Sequence, residues 1–362
     1  MLNVQERENV ILQQAAAAKK AGRKLYIYGA AVGGKAVYDA LIKNMISPDG
    51  FCVDSQYYKA NQYFCGLPIV SVDALGGGGE ICTVLVACMT KKTVLGNNEK
   101  IDFVNEDFVS LYSPLRIEYS FFNEHKEVFA KLYDTLGDEK SKQCMNAFLN
   151  QRISGKFEYL DHMWLENQYF DKELINLKNI SCIVDCGAYD GDTFRAFCEN
   201  YKADSGKSYE GKAILLEPAK NNYEKLVNNF SSKENIVILQ LGAWNEKTVL
   251  CFEENVYEPT ACRFSEEGEM SVLVDKIDNI VLPQDKVDFI KMDIEGSELN
   301  ALRGAENAIR KDKPLLAICV YHKKEDLITI PQYIKSLYSG YRLYLRSYEK
   351  YCRELVLYAI PD

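Results

Sequence analysis

IVDCGAYDGDTFRAF, Ile183 to Phe197, is the stretch that decides how this chain is read. Ile183 and Val184 have the character of a buried strand, and Asp185 and Gly187 open a turn. Gly191 closes the turn, and Asp192 or Thr193 is placed to cap a following helix. Glycine lets a ligand approach the backbone of such a turn closely. A phosphate loop would recruit Lys or Arg here, whereas this turn carries Asp185, Asp190 and Asp192. That charge suits a cationic ligand. S-adenosylmethionine, with its ammonium and sulfonium, meets the requirement.

Working outward, the alternation of strands and helices is clear from Ile180 onward. Strands are expected at Cys182–Cys186, Ala213–Glu217, Ile236–Leu241, Val287–Asp293, Leu315–Tyr321, Tyr341–Arg346 and Glu354–Ile360. Helices fit Thr193–Tyr201, Ala219–Asn229, Ser297–Lys311 and Glu325–Tyr338. The last two strands are joined too tightly for a crossover helix, so they pair antiparallel or sit apart in the sheet. A parallel sheet ending in an antiparallel hairpin is the Rossmann-like layout of class I methyltransferases.

The N-terminal part repeats the α/β pattern. Residues 3–21 read as an amphipathic helix. LYIYGA, FCVDS and ICTVLVAC read as strands, with a helix over Lys35–Asn44 and a flexible loop at Gly76–Gly79. A strand, a glycine turn, a helix and a second strand form a βαβ unit. The expected organisation is a Rossmann-like domain over 1–118, a helical connector over 119–178 and a second α/β domain over 179–362.

Bulk properties set limits. A chain of 362 residues with 47% hydrophobic and 26% charged residues can build two cores. The net charge of −9 argues against nucleic acid as a partner. The twelve cysteines include Cys82, Cys88, Cys182, Cys186 and Cys319 inside apolar runs. They read as reduced core residues of a cytoplasmic protein. The N-terminus does not resemble an export signal. No apolar run is long enough to cross a bilayer. An oligomer is compatible with all of this.

Four features fall at the carboxyl ends of successive strands, where open α/β sheets bind ligands. The first is the Asp185–Thr193 turn. The second is Glu217 in LLEP, an acid placed to accept both hydroxyls of a ribose, with Pro218 behind it. The third is Gly242-Ala243-Trp244-Asn245, where backbone can meet an adenine edge and Trp244 can cover its face. The fourth is KMDIEGSE, with Asp293 and Glu295 at the end of the fourth strand. Taken alone, Asp185 reads better as a turn or capping residue and Trp244 better as core, while Glu217, Asp293 and Glu295 read equally well as helix-dipole or capping acids. Their occurrence in order on successive strands is what points to a site.

DCGAYDGDTF, LLEP, LGAWN, FIKMDIEGSELNALRGAENAI and PLLAICVYH resemble, in order over about 180–360, the FkbM family of S-adenosylmethionine-dependent methyltransferases. The resemblance implies methyl transfer, usually to a hydroxyl oxygen of a sugar or polyketide-like natural product. It implies that Asp185, Gly187 and Gly191 shape the methionine end of the pocket, that Glu217 holds the ribose, and that Ala243 and its neighbours frame the adenine. Tyr189 departs from the pattern. Class I enzymes commonly have Gly there, and FkbM members often have Asn.

Methyl transfer to oxygen needs alignment and removal of the hydroxyl proton. His322, following the fifth strand beside Asp293, is the candidate base, with Asp293 orienting it or meeting the acceptor. A plain hydrogen-bonding role for His322 is the competing reading, and His125 and His162 lie in the connector. Asp293, Glu295 and His322 can also be drawn as a divalent-cation set, although the metal-free reading is preferred. In the N-terminal domain, Gly29-x-x-x-Gly33-Gly34 misses dinucleotide spacing, while Asp54 sits where a ribose-reading acid belongs. That stretch is similar to nucleotide-binding-like domains attached to sugar-modifying enzymes. A sugar-nucleotide site and a degenerate scaffold both fit, with the scaffold preferred. The rival readings of the whole chain are a dinucleotide-dependent oxidoreductase and a non-catalytic binding module. The expected acceptor is a small molecule or glycan.

Overall fold

The computed structural model describes residues 1–88, 98–111, 116–161, 164–231, 233–253, 263–264, 270–348 and 354–362. His162 therefore lies outside the described residues. The chain divides into two compact units. The first comprises Met1–Ala130 with Gln143–Trp164, and the second Lys131–Lys142, Leu165–Tyr348 and Glu354–Asp362. Residues 119–178, expected as a connector, hold the helices Tyr119–Glu124, Lys126–Thr135 and Glu139–Ser154. They are shared between the two units instead of standing apart.

In the first unit, Lys24–Tyr28 is a strand of a six-stranded sheet, flanked by the parallel strands Gly50–Val53 and Cys82–Val86. Leu67–Ser71 and Ile101–Val104 extend it in parallel, and Tyr63–Phe64 closes one edge antiparallel. The helix expected from residue 3 begins at Val10, because Asn9 caps it by accepting from Ile11 N at 3.0 Å. The glycine turn after the first strand has a packing explanation. A Cβ on Gly34 would lie 1.9 Å from the Gly29 carbonyl oxygen, and one on Gly33 would lie 2.9 Å from the Phe108 ring. The helix Val32–Lys43 is seated against the turn by these missing side chains. Gly77–Gly79, expected as loop, is a 3₁₀ turn.

Strands and helices of the second unit are numbered here within that unit. Its strands are β1 Cys182–Cys186, β2 Lys212–Leu216, β3 Ile236–Leu239, β4 Gly242–Ala243, β5 Thr248–Glu253, β6 Arg263–Phe264, β7 Met270–Asp275, β8 Phe289–Met292, β9 Leu315–Cys319, β10 Arg342–Tyr348 and β11 Glu354–Ile360. Seven of them run in the sheet order β3-β2-β1-β8-β9-β11-β10. β3, β2, β1, β8 and β9 are parallel, whereas β11 pairs antiparallel with both β9 and β10. The expected antiparallel hairpin is therefore present at one side of the sheet. Its helices are α1 Asp192–Ser205, α2 Lys220–Phe230, α3 Ile277–Ile280, α4 Glu298–Arg303, α5 Glu306–Asp312 and α6 Asp326–Leu337.

The strands that carry the site are apolar on both faces, as parallel strands covered by helices must be. β1 and β9 are buried at every position. Phe194 and Phe197 of α1 pack with Tyr209, Phe230 and Phe289 on one face of the sheet. The single helix expected over Ser297–Lys311 is two helices, broken at Gly304–Ala305. A Cβ on Gly304 would lie 1.8 Å from the Trp244 carbonyl oxygen, so a close backbone approach sets the break. A second, four-stranded sheet, β4-β7-β5-β6, was not expected from sequence. The described cysteines are free thiols, and Cys82, Cys182, Cys186 and Cys319 are buried while Cys88 is half-buried. Among the described residues, no helix is long and apolar enough to cross a membrane.

Candidate active site

The carboxyl ends of β1, β2 and β8 are adjacent because these strands pair in parallel, and Lys291 lies in register with Asp185. Asp185 is fully buried, and its Oδ1 lies 3.1 Å from Lys291 Nζ. Lys291, also buried, donates to the Gly187 carbonyl oxygen at 2.8 Å. Burial pushes the Asp185 carboxyl up, and Lys291 pulls it back only partly, to about 6. Lys291 itself is held above its ordinary value, because Asp185 and Asp293 outweigh the penalty of burial. Sequence reading missed Lys291, although the motif KMDIEGSE contains it.

Glu217 follows β2 and is 5% exposed. Its two oxygens accept from Tyr189 N and Ala219 N, each at 2.9 Å. Burial raises its pKa to about 7, against the lowering effect of those two N–H groups, and the charge of Asp185 adds to the rise. Asp185, Lys291 and Glu217 thus act on one another electrostatically. Each Glu217 oxygen keeps a second acceptor direction beyond its backbone bond.

The turn after β1 is left-handed at three points. Gly187 has φ 77°, Tyr189 48° and Gly191 88°. A Cβ on Gly187 would lie 2.0 Å from the Asp293 carbonyl oxygen, and one on Gly191 2.2 Å from the Phe230 ring. Gly191 rather than Asp192 or Thr193 is the N-cap of α1, and as a glycine it offers no capping side chain of its own. Asp190 Oδ1 accepts from Asp192 N, and its carbonyl oxygen accepts from Asn229 Nδ2. Thr193 N donates to Asp192 Oδ1 at 2.7 Å. Tyr189 holds a conformation that costs a non-glycine residue about 1–2 kcal/mol. Its ring lies beneath Lys225 Nζ, 5.6 Å from the ring centre.

Pro218 is half-buried and precedes Ala219, the N-cap of α2. Gly242 and Ala243 form β4 against Val274 and Asp275, and Trp244 N donates to the Asp275 carbonyl oxygen at 2.9 Å. Trp244 is half-buried. Asn245 Oδ1 is a buried atom with no hydrogen-bond partner.

Past β8 the chain turns through Glu295 and Gly296, both left-handed at φ 54° and 91°. Asp293 Oδ2 accepts from Tyr169 O–H at 2.8 Å. Burial works against the Asp293 charge, but Lys291 and His322 hold its carboxyl below the ordinary range. His322, 6% exposed, has Nε2 3.4 Å from Asp293 Oδ1 and 3.7 Å from Glu295 Oε2. Its Nδ1 lies 2.9 Å from Glu298 Oε1. These are ion-pair contacts and not aligned hydrogen bonds. Burial disfavours the charged ring, but Glu298, Asp293 and Glu295 prevail and raise it to about 10. Asp293 and Glu295 are about a quarter exposed, so they meet solvent and His322 stands behind them.

Asp293, Glu298 and His322 offer atoms within 4.8 Å of one another, the spacing of a cation site. The two carboxylates, however, contact opposite nitrogens of the ring. That arrangement clamps an imidazolium between carboxylates and does not aim three donors at one point. The sequence reading had Glu295 in the set and omitted Glu298.

Residues 185–348 match the family model described as the methyltransferase FkbM domain. The chain carries an FkbM methyltransferase domain. The match spans the turn after β1, the acid after β2, the β8 turn and His322. Among solved structures, the chain is similar to an FkbM methyltransferase from Methylobacillus flagellatus KT, with a TM-score of 0.71 and 22% identity. The alignment covers 98% of this chain and 94% of that one, which establishes a shared fold. A fibrillarin from Methanococcus jannaschii (TM-score 0.33, 16% identity, 55% and 77% coverage) is a much fainter likeness. So is the Aeropyrum pernix fibrillarin with natively bound S-adenosyl-L-methionine (TM-score 0.31, 13% identity, 51% and 69% coverage). Neither carries weight here. No curated protein matches the chain.

The donor chemistry of the FkbM domain fits S-adenosylmethionine. Acids outnumber the single buried lysine at the strand ends, and a buried Asn245 oxygen is left without a partner. Among the described residues, nothing there resembles an anion cradle. Asp185 departs from the sequence reading in one respect, since Lys291 already neutralises it.

Proposed function

We propose that this chain transfers a methyl group from S-adenosylmethionine to a hydroxyl oxygen of a sugar, glycan precursor or natural product. The observation that carries the reading is the buried Glu217, held by Tyr189 N and Ala219 N at the end of β2 beside the acidic turn. When bound, S-adenosylmethionine supplies an electrophilic methyl group on a sulfonium. Glu217 would hold the ribose, and Gly187 to Gly191 would carry the methionine end. Ala243, Trp244 and Asn245 would frame the adenine. Asp185, paired with Lys291, fixes the turn instead of meeting the ligand directly.

Asp293 stays ionised and accepts a hydrogen bond from the acceptor hydroxyl. His322, 3.4 Å behind it, takes the proton when its ring is neutral, the minority form below about pH 10. No metal is required by this scheme, and the split contacts of His322 favour that version. The first unit serves as a scaffold, because its glycines are accounted for by helix packing. A sugar-nucleotide site near Asp54 is the second reading of that unit, and a thermal shift on adding sugar nucleotides would reveal it. The whole proposal is tested with methyl-labelled S-adenosylmethionine and a panel of sugar acceptors. His322→Ala should retain cofactor binding and lose turnover, and unchanged turnover would remove His322 from the mechanism.

A further inference from the structure

Glu298 has no role in the scheme above, yet it is fully buried. It opens α4, a place where a glutamate can serve the helix from the solvent side. Here it turns inward. Oε1 accepts from Ile294 N at 2.9 Å and lies 2.9 Å from His322 Nδ1. Oε2 is buried and has no hydrogen-bond partner. One side chain thus ties the left-handed Glu295–Gly296 turn to the ring that follows β9.

We infer that Glu298 is a positioning residue for proton removal. It grips Nδ1 and thereby presents Nε2 of His322 to Asp293 and the acceptor. The inference deepens the methyl-transfer reading and rests on it for its catalytic meaning. A carboxylate behind an imidazole fixes which nitrogen carries a proton and stabilises the imidazolium formed on proton transfer. The other charged and titratable groups around the ring are Asp293 and Glu295 of the β8 turn, Tyr321 and Lys323 beside it in sequence, and Asp326 of α6. Asp326 accepts from Lys323 N, and Lys323 Nζ donates to the Gly296 carbonyl oxygen, so both are engaged elsewhere. Glu298 is the only one of these carboxylates in contact with Nδ1 among the described residues.

Glu298→Gln is the informative variant, because its amide oxygen still accepts from Ile294 N while the charge is removed. The expected result is a fall in the plateau kcat, read above the His322 titration, on the order of 10²-fold with little change in the KM for S-adenosylmethionine. The ascending limb of the kcat profile should also move to lower pH. Glu298→Gln combined with His322→Gln should be no worse than His322→Gln alone, since the two act through one ring. Ring-proton NMR of His322 in the full chain supplies a readout that needs no acceptor. The His322 titration should move to lower pH in Glu298→Gln. An unmoved titration overturns the inference, even if the chain proves to transfer no methyl group. An unmoved titration together with lost thermal stability assigns Glu298 to folding alone.

Discussion

Lys291 and Asp185 are register partners on neighbouring parallel strands, and their charges meet 3.1 Å apart with essentially no solvent access. The contact is part of the reason that the acidic turn sits where it does, since Lys291 also holds the Gly187 carbonyl. Removing one partner of a buried pair leaves an uncompensated charge, at roughly 3–5 kcal/mol. Lys291→Met should destabilise the protein by about that amount in urea titration, and Asp185→Asn on the same background should restore part of it.

Glu217 makes stability depend on pH. Its folded value is raised from 4.5 to about 7. The protonated acid is the form that the native state favours, so the stabilisation is complete below pH 4.5 and is lost as pH climbs through about 7. The loss from this one group is on the order of 3 kcal/mol. Denaturation midpoints across that window should fall more steeply for the wild type than for Glu217→Gln.

The turn after β1 separates backbone constraint from side-chain chemistry. Gly187→Ala forces a Cβ against the Asp293 carbonyl at a left-handed φ, and should cost about 2–5 kcal/mol. Tyr189→Gly relieves the same backbone conformation and should be neutral or stabilising by about 1 kcal/mol. Calorimetric melting of both variants checks the pair.

Much of this was legible in the chain. The strands from Cys182 to Ile360 are long apolar runs, and the short connection between the last two left an antiparallel pair or separate places in the sheet, of which the antiparallel pair is the one found. The small sheet of β4 to β7 was hidden because β4 and β6 are only two residues long and because Val249, Cys251, Ser271 and Leu273 of its two longer strands are exposed. The break at Gly304 depended on a distant contact, the Trp244 carbonyl, which periodicity cannot show. At the site, the acids were visible as strand-end residues. Their partners were not, because Lys291 sits inside an apolar strand and Glu298 reads as an ordinary first-turn acid. Register and burial assign them.

His322 is charged below about pH 10, and the charged ring cannot accept a proton. If it is the base, kcat should climb roughly tenfold per pH unit through the neutral range and level off in the alkaline range. His322→Gln should abolish that slope. The same ionisation acts on stability with the opposite sense. The stabilisation of the charged ring is complete below 6.5 and is lost as pH rises through about 10.

The most direct test is calorimetric titration of S-adenosylmethionine into the full chain and into Glu217→Gln. The account predicts one binding site per chain, weakened at least about tenfold in the variant by the loss of roughly 1.4 kcal/mol or more of ribose recognition. Absence of binding to the wild type, or equal affinity in the variant, would contradict it.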